Sequence, residues 1–161
     1  TETNGLDIVA TMREDVANGS LLLKAAMNFN DTEVTNKGEL ETPAELAAYT
    51  SSLLLGRANT VRYESSSPAE NFQFSATLQK PTSTFMWKLN RWGEVTIPAS
   101  TVEREQVLGS KWTVDMEYSF QLNSQVRMAL GANNVFDVYP DKTIKRNSFN
   151  GIFQHSGYSP F

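Results

Sequence analysis

The stretch Trp112-Thr113-Val114-Asp115-Met116-Glu117-Tyr118-Ser119-Phe120 alternates strictly between apolar and polar side chains. Successive side chains of a β-strand point to opposite faces of the sheet, so an alternation with period two is typical of a strand. The stretch therefore predicts a strand that has one aromatic and aliphatic face and one charged and hydroxyl-bearing face.

Five other segments show the same alternation. Together with the first they predict six strands, over residues 6–13, 21–29, 71–79, 85–90, 112–120 and 126–133. Each segment places most of its large apolar side chains on one face, which is typical of antiparallel sheets. The sequence therefore predicts an all-β fold built as an antiparallel up-and-down meander.

The connections between these strands alternate between short and long. The short links are residues 14–20, 80–82 and 121–125, and the long ones are residues 31–70, 97–111 and 138–161. In an up-and-down meander, strict alternation places every short turn at one end of the sheet and every long link at the other. Outer-membrane barrels, with short periplasmic turns and long extracellular loops, have this arrangement.

One segment of the first long link follows a helical pattern instead. Thr42-Pro43-Ala44-Glu45 resembles a capping box with proline at the first helical position, and Leu46, Tyr49 and Leu53 follow at helical spacing. Gly56 is a suitable stop. The pattern predicts a short helix within the long link between the second and third strands.

Composition excludes several classes of function. The chain has 161 residues with 14 basic and 18 acidic side chains, a net charge of -4 and no cysteine. It therefore lacks the basic patch of nucleic-acid-binding domains, and disulfides and cysteine-ligated metals are excluded. No apolar run approaches the roughly 18 residues of a spanning helix, but a membrane strand needs only about 9 to 11 alternating residues.

Two environments for the apolar face remain open at this point: membrane lipid, or the core of a soluble lipocalin-like barrel or sandwich. In lipid, a register slip by one residue would turn Arg13, Lys24, Lys88 and Arg127 towards the acyl chains, at about 2 to 4 kcal/mol for a basic residue at the midplane. The aromatic and aliphatic face would therefore face lipid. Aromatic residues near strand ends would suit the interfacial girdles: Phe29, Trp92, Trp112, Phe120 and Phe136.

The segment from Gly131 to Pro140 reads Gly-Ala-Asn-Asn-Val-Phe-Asp-Val-Tyr-Pro. It resembles the G-x-N-N-L-F-D-x-Y-P motif near the C-terminus of TonB-dependent outer-membrane receptors. Four other pieces resemble the same region in order, so that the resemblance covers nearly the whole chain: residues 5–10, 62–68, 91–95 and 112–115. The motif residues are expected to have a structural role where a strand ends: Asn133, Asn134, Phe136, Asp137, Tyr139 and Pro140.

The resemblance implies a fold and a function. Members of this family are 22-stranded barrels of the bacterial outer membrane, embedded in its lipid and preceded by a plug domain. Residues 1–161 would be a C-terminal portion of such a barrel, without the plug and the final strand. The whole receptor would import a scarce nutrient, most often a ferric siderophore, with energy from the TonB complex, which contacts parts outside this chain.

By the same resemblance, ligand contacts are expected in the long links, and no catalytic, cofactor or metal site is expected. The candidate ligand-binding residues are Tyr49, Arg57, Arg62, Tyr63, His155 and Tyr158. The chain contains no P-loop and no nucleophile or metalloprotease motif, and His155 is its single histidine, which argues against an enzyme. Asp115 and Glu117 share a strand face, as in any strand with alternate acids.

Six strands leave two open edges, and an unpaired edge within hydrocarbon leaves backbone groups unsatisfied. The chain is therefore expected either to sit within a larger assembly or to self-associate. The alternative function is that of a soluble lipocalin-like ligand-binding module, which would bury the apolar face in its own core.

Overall fold

The computed structural model describes residues 1–35 and 56–144. In these ranges the chain is mostly antiparallel β, and all six predicted strands are present. The elements are β1 (Glu2–Val16), β2 (Gly19–Glu33), α1 (Arg57–Ser65), β3 (Glu70–Lys80), β4 (Ser83–Trp92), β5 (Val95–Ile97), a 3-10 turn (Val102–Arg104), β6 (Gln106–Leu108), β7 (Lys111–Gln121) and β8 (Arg127–Ala132). The described part of the chain has no helix that is long and apolar enough to cross a membrane.

The main sheet is a six-stranded meander in the order β1-β2-β3-β4-β7-β8, and every neighbouring pair is antiparallel. This confirms the predicted up-and-down order. A second, two-stranded sheet pairs β5 with β6 inside the connection between β4 and β7. Residues 97–111 are predicted only as a long link. The short strands of this second sheet are not predicted, because three-residue strands are too short to show an alternation.

In the middle of the sheet, the register places apolar residues opposite apolar residues on all six strands. One such row, read from β1 to β8, is Met12, Leu23, Ala76, Trp87, Met116 and Ala132. The rings of Phe74 and Trp87 meet edge to face with their centroids 5.7 Å apart, as cross-strand aromatic pairs prefer. We call the side that carries this row the apolar face and the opposite side the polar face.

The charged residues used in the register argument all lie on the polar face. Lys24 pairs with Thr11 and Ser75, Lys88 pairs with Asp115, and Arg127 pairs with Gln121. The girdle expectation was wrong for Trp92, which pairs with Asn71 and Lys111 and therefore lies on the polar face.

The apolar face is left largely uncovered by the described residues. Leu6 is 57% exposed, Met12 54% and Leu130 66%. The buried apolar residues in the described ranges are Val34, Val95, Ile97, Leu108 and Val114, and most of them belong to the connections rather than to the main sheet. The sheet alone therefore does not enclose a hydrophobic core.

The short turns lie together at one end of the sheet, as predicted, and we call this the turn end. The β1–β2 hairpin turns through residues 17–18, where Asn18 adopts a positive φ of 59°. Gly19 follows, and a Cβ there would lie 2.1 Å from the carbonyl oxygen of Gln79. We call the opposite end the loop end, because the long connections emerge there.

The helix at residues 57–65 was not predicted. The capping box at residues 42–45 and the helix expected after it lie outside the described residues. Gly56, expected to stop that helix, is extended (φ -62°, ψ 162°) and immediately precedes α1. The helix carries polar side chains on all of its faces. Its sequence therefore shows no amphipathic period that could have indicated it.

Candidate functional site

At the loop end, α1 packs on the β5–β6 hairpin, and together they form what we call the loop-end cap. Val95, Ile97 and Leu108 make a small buried cluster within it. The Ser66 hydroxyl, at the end of α1, donates to the Thr96 carbonyl at 2.9 Å. The backbone N–H of Val34 donates to the Glu64 carboxylate at 3.0 Å, which ties α1 to the chain leaving β2. Packing therefore gives the cap a defined position above the sheet.

Arg57 joins two of the long connections. Its Nε lies 2.6 Å from Glu105 Oε1 and its Nη2 lies 2.9 Å from Glu105 Oε2, so the guanidinium holds the carboxylate as a two-pronged pair. The hydrogen bond to Glu105 raises the pKa of Arg57. These two residues also line a cavity of about 440 Å³ between α1 and the hairpin, together with Thr60, Glu64 and Thr96.

The other ligand candidates separate into two groups. Arg62 and Tyr63 lie on α1 and face solvent; Arg62 donates to Asn59 Oδ1 at 3.3 Å, and Tyr63 is 57% exposed. Tyr49, His155 and Tyr158 lie outside the described residues. The structure thus brings Arg57, Arg62 and Tyr63 onto one short helix at the loop end, with Arg57 facing the cavity.

The family-like motif forms a compact turn after β8. Asn134 and Asp137 both adopt positive φ values, 48° and 54°, which asparagine and aspartate tolerate better than most residues. The Asn134 side chain bonds both backbone groups of Val138, donating to its carbonyl at 2.8 Å and accepting from its N–H at 3.0 Å. We call residues 133–144, which begin with this turn, the strap.

The other motif side chains are mostly on the surface. Phe136 is 69% exposed and Tyr139 is 68% exposed, while Asn133 is exposed directly after β8. A hydrogen bond to Asp137 raises the pKa of the Tyr139 hydroxyl. Pro140 is half-buried and removes a backbone donor where the strap leaves this turn.

Asp115 attaches the strap to the sheet. Its Oδ1 accepts the backbone N–H of Asn134 at 2.8 Å, while its Oδ2 lies 3.0 Å from Lys88 Nζ and 3.3 Å from Asn90 Nδ2. One carboxylate thus receives donors from β4 and from the turn after β8. The sequence placed Asp115 on the polar face but gave no sign of these partners, which come from distant parts of the chain.

A second carboxylate holds the far part of the strap. Asp141 accepts the backbone N–H of Gly109 at 2.7 Å and pairs with Lys111 at 2.5 Å. The Gln106 side chain then bonds the strap twice, donating to the Lys142 carbonyl and accepting from the Ile144 N–H. The strap is therefore fixed to β6 and to the start of β7.

These contacts predict that the contribution of Asp141 to the stability of the fold depends on pH. The hydrogen bonds from Lys111 and from the Gly109 N–H lower the pKa of Asp141 below its ordinary value of 3.8. A carboxylate with a lowered pKa stabilises the fold fully above its unfolded-state pKa, and this contribution is lost as the pH falls through the folded-state value. We expect the stability difference between the parent and Asp141→Asn to be largest near about pH 6 and to shrink by about pH 3.

Denaturant unfolding at a series of pH values measures this difference. Asp137→Asn is the control. It is a change of the same type in the strap, at a residue that bonds neither Gly109 nor Lys111. A parent-to-variant difference for Asp141→Asn that stayed constant with pH would contradict the assignment.

The described residues contain no group of three or more His, Asp or Glu side chains that could hold a metal ion. What the loop end offers chemically is a set of guanidinium and phenol donors on α1 and a fixed framework of connections around them. No family model, curated protein or solved structure gives a significant match to this chain.

Proposed function

We propose that the chain is a segment of a transmembrane β-barrel of the bacterial outer membrane, belonging to an importer of the TonB-dependent type that takes up a scarce nutrient such as a ferric siderophore. One observation carries the proposal. The sheet has an uncharged apolar band on one face, with ionisable residues at both of its ends.

The height of this band fits a bilayer. On β3 the apolar face runs from Glu70 at the loop end to Lys80 at the turn end, and the side chains between them on this face are Phe72, Phe74, Ala76 and Leu78. Glu70 and Lys80 lie ten residue steps of about 3.4 Å apart, and with a tilt of about 40° their separation along the barrel axis is about 26 Å. The uncharged band between these two charges is therefore at most about 26 Å high, and membrane barrels have an apolar belt of roughly 25 Å.

At the loop-end border of the band, the apolar face carries side chains of the kind found at membrane–water interfaces. Arg91 lies on the apolar face, with its guanidinium carbon 5.2 Å from the centre of the Phe72 ring and 6.0 Å from that of Trp112. It pairs with Glu70 at 2.6 Å. Aromatic rings and paired charges are favoured at the level of the lipid headgroups and are costly deeper in the bilayer.

The same face counts against the soluble lipocalin-like alternative, which must bury it in a core of its own. Phe85 is 41% exposed, Trp112 49% and Tyr118 45%. Among the described strands, β1 pairs only with β2 and β8 only with β7, so this part of the sheet does not close on itself. A bilayer would cover the apolar face, and further barrel strands would pair with the free edges of β1 and β8. The alternative is that copies of the chain pack against each other.

The position of α1 agrees with an importer. In outer-membrane barrels the long connections face the exterior, where a ligand arrives. Arg62 and Tyr63 on α1 present a guanidinium and a phenol to solvent at this end, beside Arg57, whose guanidinium pairs with Glu105. Guanidinium and phenol donors suit an anionic ligand such as a ferric siderophore.

Replacement of Arg62 with alanine is expected to weaken ferric siderophore binding about fivefold, because one solvent-facing charged donor is removed. TonB-dependent uptake of a radiolabelled ferric siderophore by cells that carry the intact receptor measures this. Lys80→Ala removes a positive charge at the turn end instead and is expected to leave uptake unchanged. Equal losses in both variants, or uptake that does not depend on TonB, would contradict the proposal.

A further inference from the structure

The β1–β2 turn contains a chemically labile pair of residues, Asn18-Gly19. The side-chain amide carbon of an asparagine is open to attack by the backbone nitrogen of the next residue, and a glycine there, which has no Cβ, leaves the approach free. The chain has three such pairs: Asn4-Gly5, Asn18-Gly19 and Asn150-Gly151, of which the last lies outside the described residues. The other two pairs have different surroundings.

Asn18 is exposed in the turn, with a positive φ of 59°. Its side-chain amide makes no hydrogen bond within the described part of the chain, so it is free to rotate. Gly19 belongs to the last pair of the β1–β2 ladder, opposite Val16. The end pair of a ladder opens more often than the pairs behind it. The side-chain amide carbon of Asn18 and the backbone nitrogen of Gly19 are therefore able to meet without unfolding of the sheet.

Asn4-Gly5 is held within a strand instead. Asn4 lies opposite Asp31 and Gly5 opposite Asn30, and paired residues continue on both sides of them. The Asn4 side chain also donates to Glu2 at 3.4 Å. In an extended strand the side chain stands out from the backbone, away from the following nitrogen. The same reaction at Asn4 therefore requires this part of the ladder to open first.

We propose that Asn18 is a site of spontaneous modification, at which the folded protein forms aspartate and isoaspartate. The Gly19 nitrogen forms a bond to Asn18 Cγ, the bond between Cγ and Nδ2 breaks, and Nδ2 leaves as ammonia with the proton from the Gly19 nitrogen. Water then opens the resulting five-membered succinimide ring. Opening at one carbonyl gives aspartate, and opening at the other gives isoaspartate, whose backbone runs through Cβ and Cγ of the former Asn18.

Isoaspartate lengthens the backbone of the turn at residues 17–18 by one carbon atom. On the β2 side there is no room for this, because Gly19 packs so closely on β3 that a Cβ there would lie 2.1 Å from the carbonyl oxygen of Gln79. The extra length therefore falls on the β1 side, which pairs only with β2 among the described strands. We expect the pairs of Val16 with Gly19 and of Asp15 with Ser20 to open.

Mass spectrometry of tryptic peptides measures the two sites separately. Cleavage after Arg13 and Lys24 places Asn4 and Asn18 on the peptides 1–13 and 14–24, and each asparagine is the only side-chain amide of its peptide. The protein is incubated at mildly alkaline pH, folded in detergent or unfolded in urea, before digestion. We expect Asn18 to exchange its amide for a hydroxyl about tenfold faster than Asn4 in the folded protein, and the two to react at similar rates in urea, where the ladder is absent.

Asn18→Gly is the control, because it removes the side-chain amide and glycine accepts the positive φ. Amide hydrogen exchange in residues 14–20 is compared before and after incubation of the folded protein. We expect about tenfold faster exchange in the modified parent and no change in Asn18→Gly. Equal rates at Asn4 and Asn18 in the folded protein, an Asn18 that reacts in urea but not in the folded protein, or faster exchange that also develops in Asn18→Gly would overturn the proposal.

Discussion

Replacement of Met116 with arginine is expected to destabilise the folded protein in a bilayer by about 2 to 4 kcal/mol. Met116 lies in the middle of β7 on the apolar face, opposite Trp87 on β4 and Ala132 on β8. At this depth a guanidinium would meet acyl chains, and its long side chain would have to bend towards a distant interface. Denaturant unfolding of the protein in lipid vesicles, followed by tryptophan fluorescence, measures the change.

Met86→Arg is the matched control. Met86 is also a half-buried methionine, but it lies on the polar face and pairs with Glu117. The same substitution there introduces an arginine beside a carboxylate and is expected to change stability by no more than about 0.5 kcal/mol. Similar losses at the two positions would contradict the assignment of the two faces.

Replacement of Asp115 with alanine is expected to cost about 2 to 3 kcal/mol, because hydrogen bonds to a charged group are the strong ones and three donors lose their acceptor together. Asp115 is the shared partner of Lys88, Asn90 and the Asn134 N–H. We also expect faster amide hydrogen exchange in residues 133–144, since the strap loses one of its attachments to the sheet.

Glu117→Ala removes a carboxylate from the same strand and the same face, two residues along. Glu117 is exposed and pairs with Met86 and Gly131 in the ladder, so its loss is expected to leave both stability and strap exchange nearly unchanged. If Asp115→Ala destabilised the sheet without affecting exchange in the strap, the link through Asn134 would be wrong.

The main sheet could be predicted from the sequence because the patterns that specify it, alternation within each strand and short turns between strands, lie within short stretches of the chain. Each strand is long enough for the alternation to be unambiguous, and two-residue turns such as residues 81–82 fix the register of the strands on either side. Once the register is set, one long apolar face follows, and Lys24 and Lys88 necessarily fall on the other.

The loop-end cap could not be predicted in this way. Its strands have three residues each, and α1 has no apolar stripe, so its position depends on contacts such as that between Ser66 and Thr96. The partners of the candidate residues are similarly distant. Glu105 lies 48 residues from Arg57, and nothing in the local pattern of either residue indicates the pair.

The central claim is that the apolar face meets lipid, and site-directed spin labelling tests it most directly. The chain has no cysteine, so Met116→Cys and Glu117→Cys each give a single labelling position on neighbouring residues of β7. In bilayers, we predict that the label at residue 116 collides more with oxygen, which concentrates in lipid, and the label at residue 117 more with a water-soluble nickel complex. A label at residue 116 that is shielded from both reagents, as in a protein core, would contradict the account.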